Sequence, residues 1–187
     1  MLTQTQEDYR QQLRRHMRQQ RIALPAERYQ AYCAAITTHL RRLPAPKIAA
    51  FCWPIEQEPD VRGAIAHWQA AGSRAALPVV RAPASPLAFR LWNVDTPLAP
   101  DRYGIPSPTQ GDWVQPDVVL LPLNAFDAAG YRLGYGGGFF DRTLATLQPR
   151  PLAIGVGFEI NRVADIQPAA HDQRLDWIVT EAGLWKI

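Results

Sequence analysis

The sequence predicts an α/β domain whose largely parallel β-sheet is covered by helices on both faces, and three observations support this prediction. Short apolar runs alternate along the chain with segments of helical spacing, the order expected when strands are joined by helical crossovers. The strongest run, at residues 117–122, is apolar after its first residue and does not alternate, as in strands buried on both faces. The length of 187 residues and the hydrophobic content of 47% suit one compact unit with its own core. We therefore expect a single domain over residues 1–187.

Each element is assigned from its local pattern. Apolar residues at helical spacing predict helices at residues 5–22, 60–71 and 138–147, and another that starts at Pro25 and ends before Pro44. Short apolar runs predict strands at residues 48–53, 74–80, 87–92, 117–122, 152–158 and 177–180. Residues 93–116 contain five prolines and two glycines, so we expect a loop that crosses the surface and forms no core element.

Composition narrows the class of protein. The two cysteines, Cys33 and Cys52, have no spacing that suggests a zinc site or a disulfide framework, and we expect both to be small buried residues. The N-terminus lacks the apolar segment of a signal peptide, and no stretch is long enough to span a bilayer, so we expect a cytoplasmic protein with no membrane partner. The net charge of +3 comes almost entirely from arginine, whose planar donors suit carboxylates and phosphates. This excess is too small to predict nucleic-acid binding.

A glycine-rich loop follows the strongest strand. Four glycines crowd into five positions at Gly134, Gly136, Gly137 and Gly138, directly before a predicted helix. Backbone N–H groups in such a stretch can approach an anion closely, and the start of the helix adds partial positive charge. The spacing matches neither the P-loop nor the dinucleotide-binding fingerprint. The loop is therefore a candidate phosphate cradle, with a flexible glycine turn as the alternative.

Charged residues flank this loop and strengthen the phosphate interpretation. Arg132 and Arg142 could neutralise phosphate oxygens, and the carboxylate of Asp141 could hold a magnesium ion. The alternative for Asp141 and Arg142 is an ion pair on the helix surface.

These residues also carry a resemblance to a known family. The segment at residues 122–142, which contains AFD, RLGYGGG and FFDR, resembles the signature of the 5-formyltetrahydrofolate cyclo-ligase family. Segments on both sides occur in the order found in the family, so the resemblance covers nearly the whole chain; they are residues 53–58, 103–106, 154–159 and 171–181.

The resemblance implies a fold, a reaction and two cofactors. The fold would be a single three-layer domain with a mostly parallel mixed sheet, like that of the ribose-phosphate isomerase and CoA-transferase group. The reaction would convert 5-formyltetrahydrofolate to 5,10-methenyltetrahydrofolate, with ATP hydrolysed to ADP and phosphate in the presence of Mg²⁺. Same-fold enzymes for another substrate, and a nucleotide-binding regulator without turnover, remain as alternatives. We expect a monomer whose partner is a reduced folate and which binds no nucleic acid.

The resemblance also assigns roles to individual residues. The expected catalytic residues are Arg132 and Glu58, and the expected metal ligands are Asp141 and Asp172. The ATP site would comprise Arg10, Arg14, Arg132, Leu133, Gly134, Tyr135, Gly136, Gly137, Gly138, Phe139 and Phe140. The folate site would comprise Trp53, Glu58, Tyr135, Gly136, Gly137, Gly138 and Phe139.

Some positions near these residues are expected to have no role or depart from the family. Arg10 stands where the family typically has lysine, and Ser107 stands where it often has glutamate, so no role is given to Ser107. We expect Glu56 to be a solvated acid, in contrast to Glu58 two residues later. The remaining arginines of the first helix are expected to form a solvated face.

Overall fold

The computed structural model describes residues 3–187 and contains an eight-stranded mixed sheet with helices on both faces. The five central strands are parallel, whereas one strand at one edge and two at the other pair antiparallel. From edge to edge, the strands are Gly183–Lys186, Trp177–Thr180, Leu152–Val156, Val118–Pro122, Ile48–Ala50, Arg74–Val79, Ala88–Trp92 and Trp113–Val114. The prediction of a largely parallel sheet is therefore confirmed for the centre of the fold.

The helices are α1 (Gln4–Ile22), α2 (Ala26–Leu40), α3 (Arg62–Ala70) and α4 (Phe139–Thr146), with a 3₁₀ turn at Glu159–Asn161. The first strands of the main sheet are β1 (Ile48–Ala50), β2 (Arg74–Val79), β3 (Ala88–Trp92) and β6 (Trp113–Val114); it is completed by β7 (Val118–Pro122), β10 (Leu152–Val156), β11 (Trp177–Thr180) and β12 (Gly183–Lys186). Two hairpins lie outside it: β4 (Leu98–Pro100) with β5 (Pro106–Pro108), and β8 (Ala125–Phe126) with β9 (Arg132–Leu133).

The sheet divides the core into two apolar clusters. Along β7, Val118 and Leu120 belong to the cluster that α2 and α3 cover, while Val119 and Leu121 belong to the cluster that α4 covers. The largest helical contribution is Trp68 of α3, which is 1% exposed. The unbroken apolar run of β7 is thus explained by burial on both faces, and the three-layer prediction is confirmed.

The connections that follow β1 and β7 run on opposite faces of the sheet. From β1 the chain passes through α3 on one face to β2, whereas from β7 it passes through α4 on the opposite face to β10. The two strands are parallel neighbours, with Ala50 opposite Val119. In open α/β sheets a ligand crevice forms beyond the carboxyl ends of strands at such a point.

The first helix packs near this edge and is held by few apolar contacts. Thr3 and Gln6 form a capping box at its start, which satisfies free N–H groups of the first turn. Met17 packs with Ala125, Leu133 and Ile166. The helix therefore lies over the β8–β9 hairpin, close to the glycine-rich loop. None of the helices among residues 3–187 is long and apolar enough to cross a membrane.

The proline-rich segment is more ordered than the sequence predicts. Residues 93–116 contain the β4–β5 hairpin and β6, which pairs with β3 at the edge of the main sheet. These short strands were not predicted, because strands of two or three residues interrupted by proline have no readable periodicity. The short hairpin β8–β9 was not predicted for the same reason. The edge strand β12 was not predicted either; it has four residues, and the last of them is exposed. The proline-rich segment still crosses the surface as expected, since none of its residues belongs to the buried apolar core.

Candidate functional site

A cleft of about 550 Å³ lies beyond the carboxyl ends of the parallel strands. Its walls come from α1, from the segment after β1, from the β4–β5 hairpin and from the glycine-rich loop. Most of the residues predicted for the ATP, metal and folate sites line this cleft: Arg10, Arg14, Trp53, Glu58, Arg132, Gly134, Tyr135, Gly136, Gly137, Gly138, Phe139, Phe140, Asp141 and Asp172. The structure therefore brings together residues that are far apart in the sequence.

The glycine-rich loop runs from β9 into α4. Gly136 and Gly138 have φ angles of +91° and +62°, a conformation that favours glycine. Gly138 is the N-cap of α4, whose first turn has no side-chain cap. A Cβ atom at Gly138 would also lie 2.8 Å from Nη1 of Arg142. The N–H groups at the start of α4 therefore have no capping side chain, and the first residues of this helix line the cleft, as an anion site requires.

Two arginines of α1 approach this loop. Arg14 donates from Nε to the carbonyl oxygen of Gly134 at 2.9 Å. Arg10 is 5% exposed and donates from Nη1 to Oδ2 of Asp172 at 2.7 Å and to the carbonyl of Gln167 at 2.9 Å. Burial and, to a lesser extent, the charge of Arg10 lower the pKa of Arg14. Two cations held this close together favour the arrival of an anion.

The predicted metal ligands are both engaged by arginines through one oxygen. Arg132 lies in an ion pair with Oδ1 of Asp141 at 3.0 Å, and the same oxygen accepts the backbone N–H of Gln173 at 2.9 Å. Oδ2 of Asp172 accepts from Arg10 and from the backbone N–H of Ala169, the latter at 2.8 Å. The hydrogen bond from Gln173 also brings Asp141 beside the residue that follows Asp172.

These two carboxylates suit a metal ion that is held partly by substrate phosphates better than a metal ion held by protein ligands alone. In residues 3–187 there is no cluster of three or more His, Cys, Asp or Glu residues arranged to hold a metal. Asp141 and Asp172 both line the cleft, and among the described residues the second carboxylate oxygen of each accepts no hydrogen bond. Mg²⁺ is commonly held by one or two carboxylates together with substrate phosphates, so these two side chains are chemically suitable.

Arg142 does not pair with Asp141, so the alternative of a surface ion pair between them is wrong. Its Nη2 donates instead to the carbonyl oxygen of Gly137, and its guanidinium carbon lies 5.5 Å from the ring centre of Phe139. Arg142 is not among the residues that line the cleft. Its contacts brace the glycine-rich loop from behind.

Glu58 is a buried carboxylate on the opposite wall. It follows β1, is 3% exposed, and accepts the hydroxyl of Tyr135 at 2.7 Å through Oε1 and the backbone N–H of Ile55 at 3.1 Å through Oε2. Burial raises the pKa of Glu58, and the two hydrogen bonds partly oppose this shift. Nearby, Trp53 packs edge-on against Trp92, with ring centres 6.1 Å apart. The site thus places the aromatic side chain of Trp53 near the buried carboxylate of Glu58, which can accept hydrogen bonds.

Glu56 is exposed to solvent, as expected, and it also forms a bidentate ion pair with Arg18, which lowers the pKa of Glu56. Two other sequence expectations near the site need correction. Leu133 is fully buried in an apolar cluster and does not line the cleft. The solvated-face prediction for α1 fails at Arg21, which has no exposed surface.

Two residues that line or support the cleft were not predicted from the sequence. Arg21 donates to Tyr135 from inside the core, and Tyr103 of the β4–β5 turn packs against Phe139 with ring centres 5.8 Å apart. A signal for Arg21 was available, since Arg10, Arg14 and Arg21 fall on one face of a 3.6-residue helix. Tyr103 lies in a turn without periodicity, so only the folded hairpin brings it to the glycine-rich loop.

Comparison with known proteins agrees with this geometry. Residues 6–181 match the model of the 5-formyltetrahydrofolate cyclo-ligase family. The 5-formyltetrahydrofolate cyclo-ligase of Escherichia coli K12 is 30% identical over 181 residues, which cover 91% of this chain and 99% of the relative. The enzyme of the same name from Mycolicibacterium smegmatis is 29% identical over 68% of this chain and 70% of its own length.

Solved structures give the same result. The NMR structure of Aquifex aeolicus 5,10-methenyltetrahydrofolate synthetase superposes with a TM-score of 0.80 at 27% identity, covering 95% of this chain and 92% of that chain. A 5,10-methenyltetrahydrofolate synthetase from Mycoplasma pneumoniae has the same fold, with a TM-score of 0.74 over 92% of this chain and 98% of that chain. Fold and site together define an α/β enzyme with a glycine-rich loop beside a cleft at its strand ends. The chain belongs to the 5-formyltetrahydrofolate cyclo-ligase family.

Proposed function

We propose that this protein converts 5-formyltetrahydrofolate to 5,10-methenyltetrahydrofolate and hydrolyses ATP to ADP and phosphate in the process. The observation that carries the proposal is the meeting of two half-sites in one cleft. The glycine-rich loop with its arginines forms one side, and Glu58 with Trp53 forms the other. Tyr135 belongs to the loop yet donates to Glu58, so both halves share a wall in a chain of this family.

On the phosphate side, Arg10, Arg14 and the loop from Arg132 to Phe140 would bind ATP. The uncapped N-terminus of α4 and the two cations of α1 support this assignment. Arg132 is already paired with Asp141, so it would serve the phosphates as part of that pair and not as a free cation. Leu133 would contribute only by holding the loop on the core.

On the folate side, Glu58 would accept hydrogen bonds from ring N–H donors of the pterin or face the formyl nitrogen. Trp53 would pack on the flat ring, and Tyr135, Phe139 and the loop glycines would close the space between folate and nucleotide. A desolvated carboxylate suits this task, because its hydrogen bonds gain strength away from water.

The chemistry requires an activated oxygen and no covalent protein nucleophile. The γ-phosphoryl group is transferred from ATP to the formyl oxygen, which releases ADP and leaves an iminium phosphate. Nitrogen 10 attacks the formyl carbon and loses its proton, and the oxygen departs with inorganic phosphate. The protein's contribution is to align the formyl oxygen with the phosphoryl group and to stabilise the negative charge.

A magnesium ion forms part of the proposal. Asp141 and Asp172 would hold it, and when bound it would neutralise phosphate charge. The monomeric state, the cytoplasmic location and the lack of nucleic-acid binding stay predictions from the sequence.

The proposal is tested by the absorbance of methenyltetrahydrofolate after the purified protein is mixed with 5-formyltetrahydrofolate, ATP and Mg²⁺. We expect product formation that depends on both substrates, with one ADP released per product. Tight ATP binding without turnover of this folate would instead favour a nucleotide-binding regulator or an enzyme for another substrate. Boiled protein and a sample without ATP serve as controls.

A further inference from the structure

Arg21 is completely buried, although it belongs to a helix rich in polar residues. Its Nε donates to the carbonyl oxygen of Glu56 at 3.1 Å. Its Nη1 donates to the carbonyl of Leu123 at 3.3 Å and to Oδ1 of Asn124 at 2.9 Å. Its Nη2 donates to the hydroxyl oxygen of Tyr135 at 2.9 Å. All three nitrogens have acceptors, so the guanidinium is held in one orientation.

The direction of the hydrogen bonds beyond Arg21 follows from the chemistry of the groups. A guanidinium has donors only, so the oxygen of Tyr135 must accept from Arg21. The hydroxyl hydrogen of Tyr135 is then free to point at Oε1 of Glu58, 2.7 Å away. The carboxylate of Glu58 accepts this hydrogen bond. The hydrogen bonds therefore run in one direction, from Arg21 through Tyr135 to Glu58.

We infer that Arg21 is a positioning residue that orients the Tyr135 hydroxyl towards Glu58 and thereby holds the glycine-rich loop against this carboxylate. The inference rests on the proposed function only for the role of Glu58 in turnover. The hydrogen-bond chain joins α1, the end of β7, the segment after β1 and the loop before α4. It is therefore the structural link between the phosphate half and the folate half of the cleft.

The groups facing Glu58 decide how its ionisation would respond. Tyr135 and the charge of Arg21 favour the carboxylate, while the burial of Glu58 and the neighbouring Glu56 disfavour it. Burial raises the pKa of the nearby Cys52 thiol, and the charge of Glu58 adds to this shift. Tyr29 donates to the backbone carbonyl of Glu58 at 2.9 Å and leaves the carboxylate oxygens free. Loss of the Tyr135 hydrogen bond should accordingly raise the pKa of Glu58 further.

The test is a double-mutant cycle on the ionisation of Glu58. Protein labelled with ¹³C at glutamate carboxyl groups is titrated by NMR, and the Glu58 signal is assigned by its absence from Glu58→Gln. Arg21→Lys keeps a positive charge but loses the planar fork that reaches Tyr135. We expect Arg21→Lys and Tyr135→Phe each to raise the midpoint by at least about half a pH unit. In the Tyr135→Phe background, Arg21→Lys should add almost nothing.

Two results would overturn the inference: no change of the midpoint in Arg21→Lys, or the same shift with and without the Tyr135 hydroxyl. Arg15→Lys, on an exposed position of the same helix, is the matched control and should leave the midpoint unchanged. If Arg21→Lys does not fold, Asn124→Ala replaces it in the double-mutant cycle, because Asn124→Ala removes one of the acceptors that orient the guanidinium of Arg21. The two expectations for the midpoint stay the same.

Kinetics provide a second measurement. Arg21→Lys should lower the turnover of 5-formyltetrahydrofolate about ten-fold, the scale of one charge-assisted hydrogen bond, with a smaller change in the apparent affinity for ATP. If Glu58→Gln turns over folate normally, the role proposed for Glu58 fails. The NMR cycle still decides whether Arg21 acts through Tyr135, because it uses no substrate.

Discussion

Replacement of Glu58 by glutamine gives the sharpest test of the folate half of the site. The substitution keeps the size of a side chain that is 3% exposed, so packing should be preserved. It removes the charge and one acceptor. The carboxylate now accepts from Tyr135 and from the backbone N–H of Ile55, whereas a glutamine has one oxygen and one NH₂ group for these two donors.

The magnitude follows from these contacts. A hydrogen bond to a charged group contributes about 1.5–3 kcal/mol, which corresponds to a decrease in turnover of roughly ten- to a hundred-fold if Glu58 contacts the folate in the transition state. The effect on stability should be smaller, near 1 kcal/mol, because the unsatisfied donor is offset by relief from burying a charge. In the proposed arrangement ATP lies against the other wall, so its apparent affinity should remain within about three-fold, or about 0.7 kcal/mol.

The assay compares initial rates from methenyltetrahydrofolate absorbance, with KM values for folate and ATP obtained separately. Glu27→Gln is the control, because Glu27 is exposed on α2, away from the cleft. Glu56 is unsuitable as a control, since it pairs with Arg18 and also lines the cleft. Normal turnover in Glu58→Gln, or an equal loss in Glu27→Gln, would refute the placement of folate beside Glu58.

Three further outcomes follow from the same contacts. Because burial raises the pKa of Glu58 above its ordinary value of 4.5, its contribution to stability is present below that pH and is lost as the pH rises through the folded-state pKa. Urea unfolding should therefore show wild type losing stability relative to Glu58→Gln as the pH rises above 4.5, and a difference that is constant with pH would contradict the raised pKa. Arg132→Ala should weaken apparent ATP affinity by about ten-fold or more and lower the melting temperature, because it leaves Asp141 unpaired, whereas Arg142→Ala should change ATP affinity less; equal losses for ATP would return Arg142 to the phosphate side. Chelation of divalent metal should abolish turnover, with Mg²⁺ restoring it and Asp172→Asn raising the Mg²⁺ requirement; full activity in excess chelator would remove the metal from the proposal.

The parts of the fold that could be predicted from the sequence are those with long or unbroken patterns. The run that forms β7 indicates burial on both faces, and the structure places its side chains alternately in the two core clusters. The helices α1 and α2 were predicted within about three residues of their bounds, because three or more turns give a readable period. The short strands β4, β5 and β6 were missed, because strands of two or three residues give no readable period.

In the site, too, the features that could be predicted are those with a local sequence pattern. The glycine-rich loop is a local pattern and could be recognised before folding, and the resemblance to the family placed Glu58 and Asp172 beside it. What the sequence could not provide is the partner of each charge. Asp141 pairs with Arg132 and not with its neighbour Arg142, because the β8–β9 hairpin turns back onto the start of α4.

The contacts of α1 explain why the partners of the charges matter for this enzyme. Its apolar anchor is small, with Met17 as its buried apolar residue, yet three of its arginines contact two segments beside the cleft, the glycine-rich loop and the segment that contains Asp172. Arg10 contacts the segment with Asp172, Arg14 contacts the carbonyl of Gly134, and Arg21 contacts Tyr135. A helix docked mainly by charged hydrogen bonds loses its position when one of them is lost, because each buried acceptor left behind costs free energy. The docking of α1 and the geometry of the active site are therefore one structural property, and substitutions on the buried face of this helix should act on both.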